Sequence, residues 1–510
     1  MIAGLVRAEL SLVERSLITV VSGVILGSAL SYALSLPTGL NAGTVLAGPA
    51  IVIAAGIAAS AFGHTPLPAW RASMAAARTA WRSNPRRAWV AVGIAALGAA
   101  VVAVIFTRTV FSHDGTLEAG YATVWADWSQ HLTTENSFAL AGNTGSTNPL
   151  FSGTPLLYPF LADFQSATLV VLGAGPAAAL AVPSALLVFV IGLLIVCLAR
   201  RLGVGLGGAV VAVLVVFLGG GIGFVGLFAD ACISHGYTTA QCTVQYVVTH
   251  PGNGVGIVAG TLHDLPGAVM SQSRAYDGLP SNGGAAPLPD MQWYTPLLAW
   301  WLPQRTIVYG FAAALSVLLL VYAGMSETGR SWSPFVVAGV LVGILPIVHI
   351  QTLFALAVIL FIVALRHRRR EWLGLVGVAA VIAAPRLVQV ALAPHGSAAA
   401  GNAYPWFEPG WLATAPNRID LSFTGAFIAT GQAVRQLVSA TWWGFWAVNL
   451  GFVVPLSAVV VIVAVAAHVP GAVARWSRWL LRAVPVPLLE LFLAASVIFA
   501  LCNVVVFQSW

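Results

Sequence analysis

The hydrophobic pattern of this chain is a series of apolar runs of about 20 residues, each long enough to cross roughly 30 Å of hydrocarbon as a helix. They begin near Ser16, Thr44, Trp89, Ala178, Gly205, Thr306, Pro334, Gln351, Leu373, Gly444 and Leu488. This spacing predicts an all-α, polytopic transmembrane bundle of about eleven spans. The seventh and eighth runs form one stretch split at Leu345-Pro346-Ile347-Val348-His349, read either as two short spans or as a re-entrant pair. The first run, about Ser16 to Leu36, is too long for a cleaved signal and is read as a helix that stays. Gly219-Gly220-Gly221 falls in the fifth run and reads as close helix packing. No matching halves of the kind found in inverted-repeat transporters stand out.

Composition agrees with a membrane reading. Hydrophobic residues make up 59% of the 510 and charged residues 8%, against about 25% charge in a soluble domain. Mean hydropathy is +0.90. The net charge of +7 raises nucleic acid as a partner. That class is excluded, because the basic residues sit in short clusters between apolar runs. All 23 of them are arginine.

The arginines also set an orientation. Seventeen of the 23 lie in one alternating set of short loops: Arg7 and Arg15; Arg71 to Arg87; Arg200 and Arg201; Arg330; Arg366 to Arg370; and Arg475 to Arg482. The positive-inside rule makes these loops cytoplasmic. Eleven of the 16 acids, among them Asp127, Asp163, Asp264 and Glu408, fall in the opposite loops. The N-terminus is then inside and the C-terminus outside, in a plasma membrane. Residues 1–88 read as a two-span extension with a basic cytoplasmic loop, and 89–510 as a core. Its long outer loops cover about 111–177, 229–305 and 394–443, where ligand-handling residues are expected.

Several polar residues stand out against this background. In Trp125-Ala126-Asp127-Trp128-Ser129-Gln130-His131, Asp127 and His131 are four apart and share a helix face. Two readings fit: a divalent-metal pair or a base with its orienting partner, and a carboxylate that merely caps a short helix. Asp163 precedes the next apolar run, where a carboxylate is costly unless paired or functional; it reads equally as a site acid or a cap. Arg305 enters the sixth run after Leu302-Pro303-Gln304, and Arg386 lies inside the ninth. Either suits a phosphate, which the forked guanidinium binds through two oxygens. Against that, Arg305 can snorkel to headgroups and Arg386 can sit in a structural ion pair. His349 and Gln351 flank the break in the long run and either line a cavity or satisfy freed backbone groups. Cys232 and Cys242 share one loop, as a disulfide if that loop meets an oxidising compartment or otherwise as free thiols. Cys197 and Cys502 lie in apolar runs as packing residues.

Taken together, an inside N-terminus, a large outer loop with an Asp, and aromatic later loops resemble the GT-C superfamily. These are membrane glycosyltransferases that use polyprenyl-phosphate-linked sugars, protein O-mannosyltransferases among them. Short segments are also similar to a group of bacterial and archaeal multi-span proteins placed near it: Asp127 to His131, Tyr158-Pro159 with Asp163, Leu302-Pro303-Gln304-Arg305, Leu345-Pro346 with His349, and Trp446 to Leu450. Two features depart from the GT-C pattern. The large loop follows the third span rather than the first, and Asp127 has no adjacent acid. Relatives continue past a segment like Phe507-Gln508-Ser509-Trp510, which implies that a C-terminal portion is missing.

The resemblance implies sugar transfer at the outer face to a glycan, lipid or protein acceptor. The donor's tail would lie between spans in the lipid bilayer. Asp127 would act as base or metal ligand with His131, and Asp163 as the second carboxylate. Arg305 or Arg386 would hold the phosphate, with Gln304 and His349 nearby. A bound Mg or Mn ion and no cofactor at all are both compatible with it. The alternatives are a transporter or flippase of lipid-linked precursors and a non-catalytic envelope protein.

Overall fold

The computed structural model describes residues 6, 9–61, 66–113, 116–120, 124–145, 147–151, 153–220, 225–238, 240–242, 244–271, 295–326, 331–392, 406–407, 459 and 485–506. Among them the chain is almost wholly helical. It begins with α1 (Leu12–Thr38), α2 (Ala42–Ala61), α3 (Pro66–Ser83) and α4 (Pro85–Thr107). A small hairpin follows, β1 (Val110–His113) antiparallel to β2 (Thr116–Ala119). Next come α5 (Trp125–Ala139), α6 (Leu161–Val171), α7 (Pro176–Arg201), α8 (Leu206–Leu218), α9 (Val225–Ser234), α10 (Val244–Thr249) and α11 (Pro251–Ser271). A π-helical turn, Pro296–Trp301, leads to α12 (Arg305–Ser326), α13 (Ser333–Val348), α14 (Ile350–Arg366) and α15 (Trp372–Leu392). The two-residue strand β3 (Trp406–Phe407) pairs with β4 (Val505–Val506), which follows α16 (Val486–Val504).

Among the described residues, five helices are long and apolar enough to cross a membrane: α1, α4 from Ala88, α7, α12 and α15. Shorter apolar helices include Ala42–Ala58 of α2, α6, α8, α13, α14 and Val486–Cys502 of α16. A helix therefore stands at each apolar run except the one near Gly444. That run lies outside the described residues, as do most of the loop 394–443, Trp446 to Leu450, Arg330, Arg475, Arg478, Arg482, Phe507 to Trp510 and residues 272–294 of the second outer loop. Gly219 and Gly220 lie outside the helix expected there, because α8 stops at Leu218.

The chain divides into two compact units, one of residues 1–213, 300–398 and 485–498, the other of 214–299, 399–484 and 499–510. In the first, α12 is the central helix and packs against α1, α7 and α13; 89% of its most apolar stretch is buried. Its approach to the α13–α14 corner needs Gly310, since a Cβ there would lie 2.7 Å from His349 Cβ and 2.8 Å from Thr352 Oγ1. The long run splits where the sequence suggested. Pro346 weakens the end of α13 and His349 takes an extended backbone. His349 then caps α14, its Nδ1 accepting from Thr352 N–H at 3.3 Å and lying 2.7 Å from Thr352 Oγ1.

The arginine-rich ends are also built into this unit. Ser11 and Glu14 form a capping box at the start of α1, with Ser11 N–H donating to Glu14 Oε2 at 2.7 Å. The same carboxylate accepts from Arg201 Nε at 2.8 Å, tying the start of α1 to the end of α7. Glu490 of α16 holds Arg366 at 2.6 Å and lies 3.2 Å from His367 Nε2. In the second unit α9 packs on α11, and Cys232 and Cys242 are joined as a disulfide. Cys197 is half-buried, whereas Cys502 is exposed rather than packed.

Candidate functional site

The site is built around α5. Its register is fixed by Trp128, which is buried and donates through Nε1 to the Leu302 carbonyl at 2.7 Å. With that face pinned, residues four apart align. Asp127, His131 and Glu135 form one row; Asp127 is half-buried, His131 and Glu135 fully so. Neither acid candidate is a cap. The α5 N-cap is Val124, with no side-chain bond, and Asp163 lies in the first turn of α6 behind Phe160.

Asp163 instead meets α5 and α12. Its carboxylate is fully buried, with Oδ1 2.9 Å and Oδ2 3.0 Å from His131 Nδ1. Arg305, at the start of α12, donates from Nη1 to Asp163 Oδ1 at 3.0 Å, from Nη2 to Ser166 Oγ at 2.6 Å and from Nε to Ser184 Oγ at 3.1 Å. One guanidinium thus ties α6, α7 and α12 together. Nearby, Tyr309 donates to Gln165 Oε1 at 2.7 Å. A buried charge survives when it is both paired and hydrogen-bonded, and Arg305 meets that condition.

The electrostatics differ along the α5 row. Burial raises the Asp127 carboxyl above its ordinary value, and the nearby His131 opposes the shift. Burial pushes the Glu135 carboxyl up to about 8; Arg305 opposes this and Asp163 reinforces it. Both Glu135 oxygens lack a hydrogen-bond partner among the described residues, so the neutral acid is the form this environment favours.

A second polar centre lies on α15. Arg386 donates from Nη2 to the carbonyls of Leu156, Leu157 and Tyr158 at 3.0, 2.8 and 3.3 Å, and from Nη1 to Gln389 Oε1 at 2.7 Å. Its guanidinium carbon lies 5.4 Å from the centre of the Phe160 ring. The Nε is buried with no partner among the described residues. Arg386 and Tyr32 supply the polar side chains in a cavity of about 560 Å³ whose other walls are apolar, such as Leu30 of α1, Ile51 of α2, Ile344 of α13 and Ile382 of α15. The segment that Arg386 grips connects the two centres, for the Tyr158 ring is 6.3 Å from that of His131 and its hydroxyl 3.4 Å from Thr306 Oγ1.

Asp127, His131, Asp163 and Arg305 therefore gather in one network, with Arg386 joined to it through Leu156–Tyr158. Two expectations are corrected. Arg305 is not a phosphate receptor, because it is fully buried and each of its three donor nitrogens has a protein acceptor. His349 is a helix cap rather than a ligand group. Gln304 is half-buried, and its backbone closes the turn onto Trp300. Among the described residues, no third His, Cys, Asp or Glu joins Asp127 and His131 in a metal-ligand group.

Glu135 escaped the sequence reading, although its place eight residues after Asp127 and four after His131 marks the same face. The serines that hold Arg305 carry no such signal, since Ser166 and Ser184 lie 139 and 121 residues before it. Comparison with family models, curated proteins and solved structures finds no match to this chain.

Proposed function

We propose that the chain is a GT-C-like membrane glycosyltransferase of about eleven spans. It would move a sugar from a polyprenyl-phosphate-linked donor to an acceptor of the cell envelope, with the N-terminus cytoplasmic and the long loops outside. The observation that carries this reading is the largely apolar cavity that Arg386 helps to line, its buried Nε having no partner among the described residues. Apolar walls suit a prenyl tail, and a guanidinium suits the phosphate at its head. Asp127 is the only half-buried carboxylate of the network's described residues. It would accept the proton of the acceptor hydroxyl as the sugar–phosphate bond breaks, and Arg386 would hold the phosphate that leaves. Asp163 and Arg305 act as positioning residues that fix His131 behind Asp127.

A second reading, transport of a lipid-linked precursor, draws on the same cavity and on the buried, unpartnered Glu135 as a proton site. Transfer from a radiolabelled polyprenyl-phosphate sugar in membranes separates the two. A general base contributes roughly 10²–10⁴-fold, so Asp127→Asn should lower transfer by at least the smaller factor with expression unchanged. Arg386→Gln should raise the donor KM. Near-wild-type transfer in Asp127→Asn removes Asp127 from the chemistry, and no transfer by the wild-type protein leaves transport as the better reading.

A further inference from the structure

The second unit carries a cluster that the glycosyl-transfer reading does not use. His235 follows the end of α9, and His263 and Asp264 lie on α11. Asp264 bridges the two rings, with Oδ2 2.9 Å from His235 Nδ1 and Oδ1 2.7 Å from His263 Nδ1. One ligand atom from each of the three lies within 4.8 Å of the others. Among the described residues no other group of three His, Cys, Asp or Glu side chains meets that condition.

Several features hold the cluster in place. The disulfide between Cys232 and Cys242 closes the loop that contains His235. Gly260 lets the ring lie against α11, for a Cβ there would come within 2.6 Å of His235 Nε2. The Tyr237 ring lies beside that of His235, 5.4 Å between ring centres. His263 is 80% exposed and Asp264 28%, so an ion can reach the group from solvent and keep a water.

We propose that His235, His263 and Asp264 form a binding site for a divalent transition metal, zinc being the best match. Zinc takes nitrogen and oxygen ligands near 2.0–2.2 Å, which sets its tetrahedral ligand atoms about 3.3 Å apart. The present separations of 2.7 and 2.9 Å need to open by only about half an ångström for an ion to replace the hydrogen-bonded protons. Two imidazoles disfavour magnesium and calcium, which take oxygen. Three protein ligands leave the fourth position to water or to a group from a partner.

The test uses the full chain, purified without a polyhistidine tag in detergent, stripped with chelator and titrated with zinc chloride. Metal content after desalting should be one zinc per chain. Asp264→Asn and His263→Gln, both at accessible positions, should each weaken zinc binding by at least about tenfold, since even supporting groups of metal sites cost that much. His250→Asn, which removes a ring stacked on Tyr246 in the same unit, should bind as the wild type does. Zinc retained equally by Asp264→Asn and His263→Gln, or less than half an equivalent on the wild type, overturns the site.

Discussion

At the scale of single residues, the informative groups are those whose surroundings conflict with their charge. Glu135 is fully buried without a hydrogen-bond partner among the described residues, and its carboxyl is pushed up to about 8 from an ordinary 4.5. Its folded pKa lies above the unfolded one, so the folded chain keeps a proton that the unfolded chain releases. The stabilisation this gives is full below about 4.5, shrinks as pH rises and is gone above about 8. Glu135→Gln keeps the neutral shape and cannot titrate. We expect the wild-type unfolding temperature in detergent to fall relative to that of Glu135→Gln between about pH 5 and about pH 9. Parallel curves would show that Glu135 is not held neutral. The spacing of Asp127 and His131 was legible in the sequence, as was the cost of an Asp or Arg beside apolar sequence, whereas Glu135 one turn further on was missed. What could not be read was the partner. Asp163 and Arg305 are 142 residues apart, and no local pattern pairs them.

At the scale of elements, Arg305 shows why a charged residue in an apolar bundle is weak evidence of ligand binding. It was expected at headgroup level or on a phosphate, yet it joins α6, α7 and α12 through Asp163, Ser166 and Ser184. Removing one partner of a buried pair leaves the other uncompensated, at about 3–5 kcal/mol. Arg305→Met alone should therefore lower thermal stability sharply in a detergent melt. Asp163→Leu combined with Arg305→Met should recover much of the loss, because neither charge is left alone. A ligand role for Arg305 predicts the opposite: a mild effect of the single change on stability and no recovery in the pair. Helix positions were far easier to read than these contacts, since a run of apolar residues marks a helix whatever it packs against. The break at His349 was readable from Pro346 for the same local reason, whereas the passage of α12 over it through Gly310 was not.

At the scale of the whole molecule, the open quantity is orientation, which charge rather than packing decides. Arginines sit near several of the described helix ends, and two of them are committed to acids, Arg201 to Glu14 and Arg366 to Glu490. Those pairs neutralise part of the basic surface but leave others exposed, among them Arg82 at the end of α3 and Arg86 at the start of α4. The positive-inside bias is carried by arginines near the ends of spans, so the loop between α3 and α4 should be cytoplasmic. The loops holding Asp127 and the Cys232–Cys242 disulfide should then face the other side, where a disulfide persists. Single cysteines placed at Arg82 and at Ser146, in a background with Cys197 and Cys502 replaced by alanine, test this in intact cells. A membrane-impermeant maleimide should label the probe at Ser146 and leave the one at Arg82 unlabelled until the membrane is opened. Labelling at Arg82 alone would invert the molecule. Asp127 would then face the cytoplasm, and sugar transfer at the outer face would fail as a reading even with every helix in place.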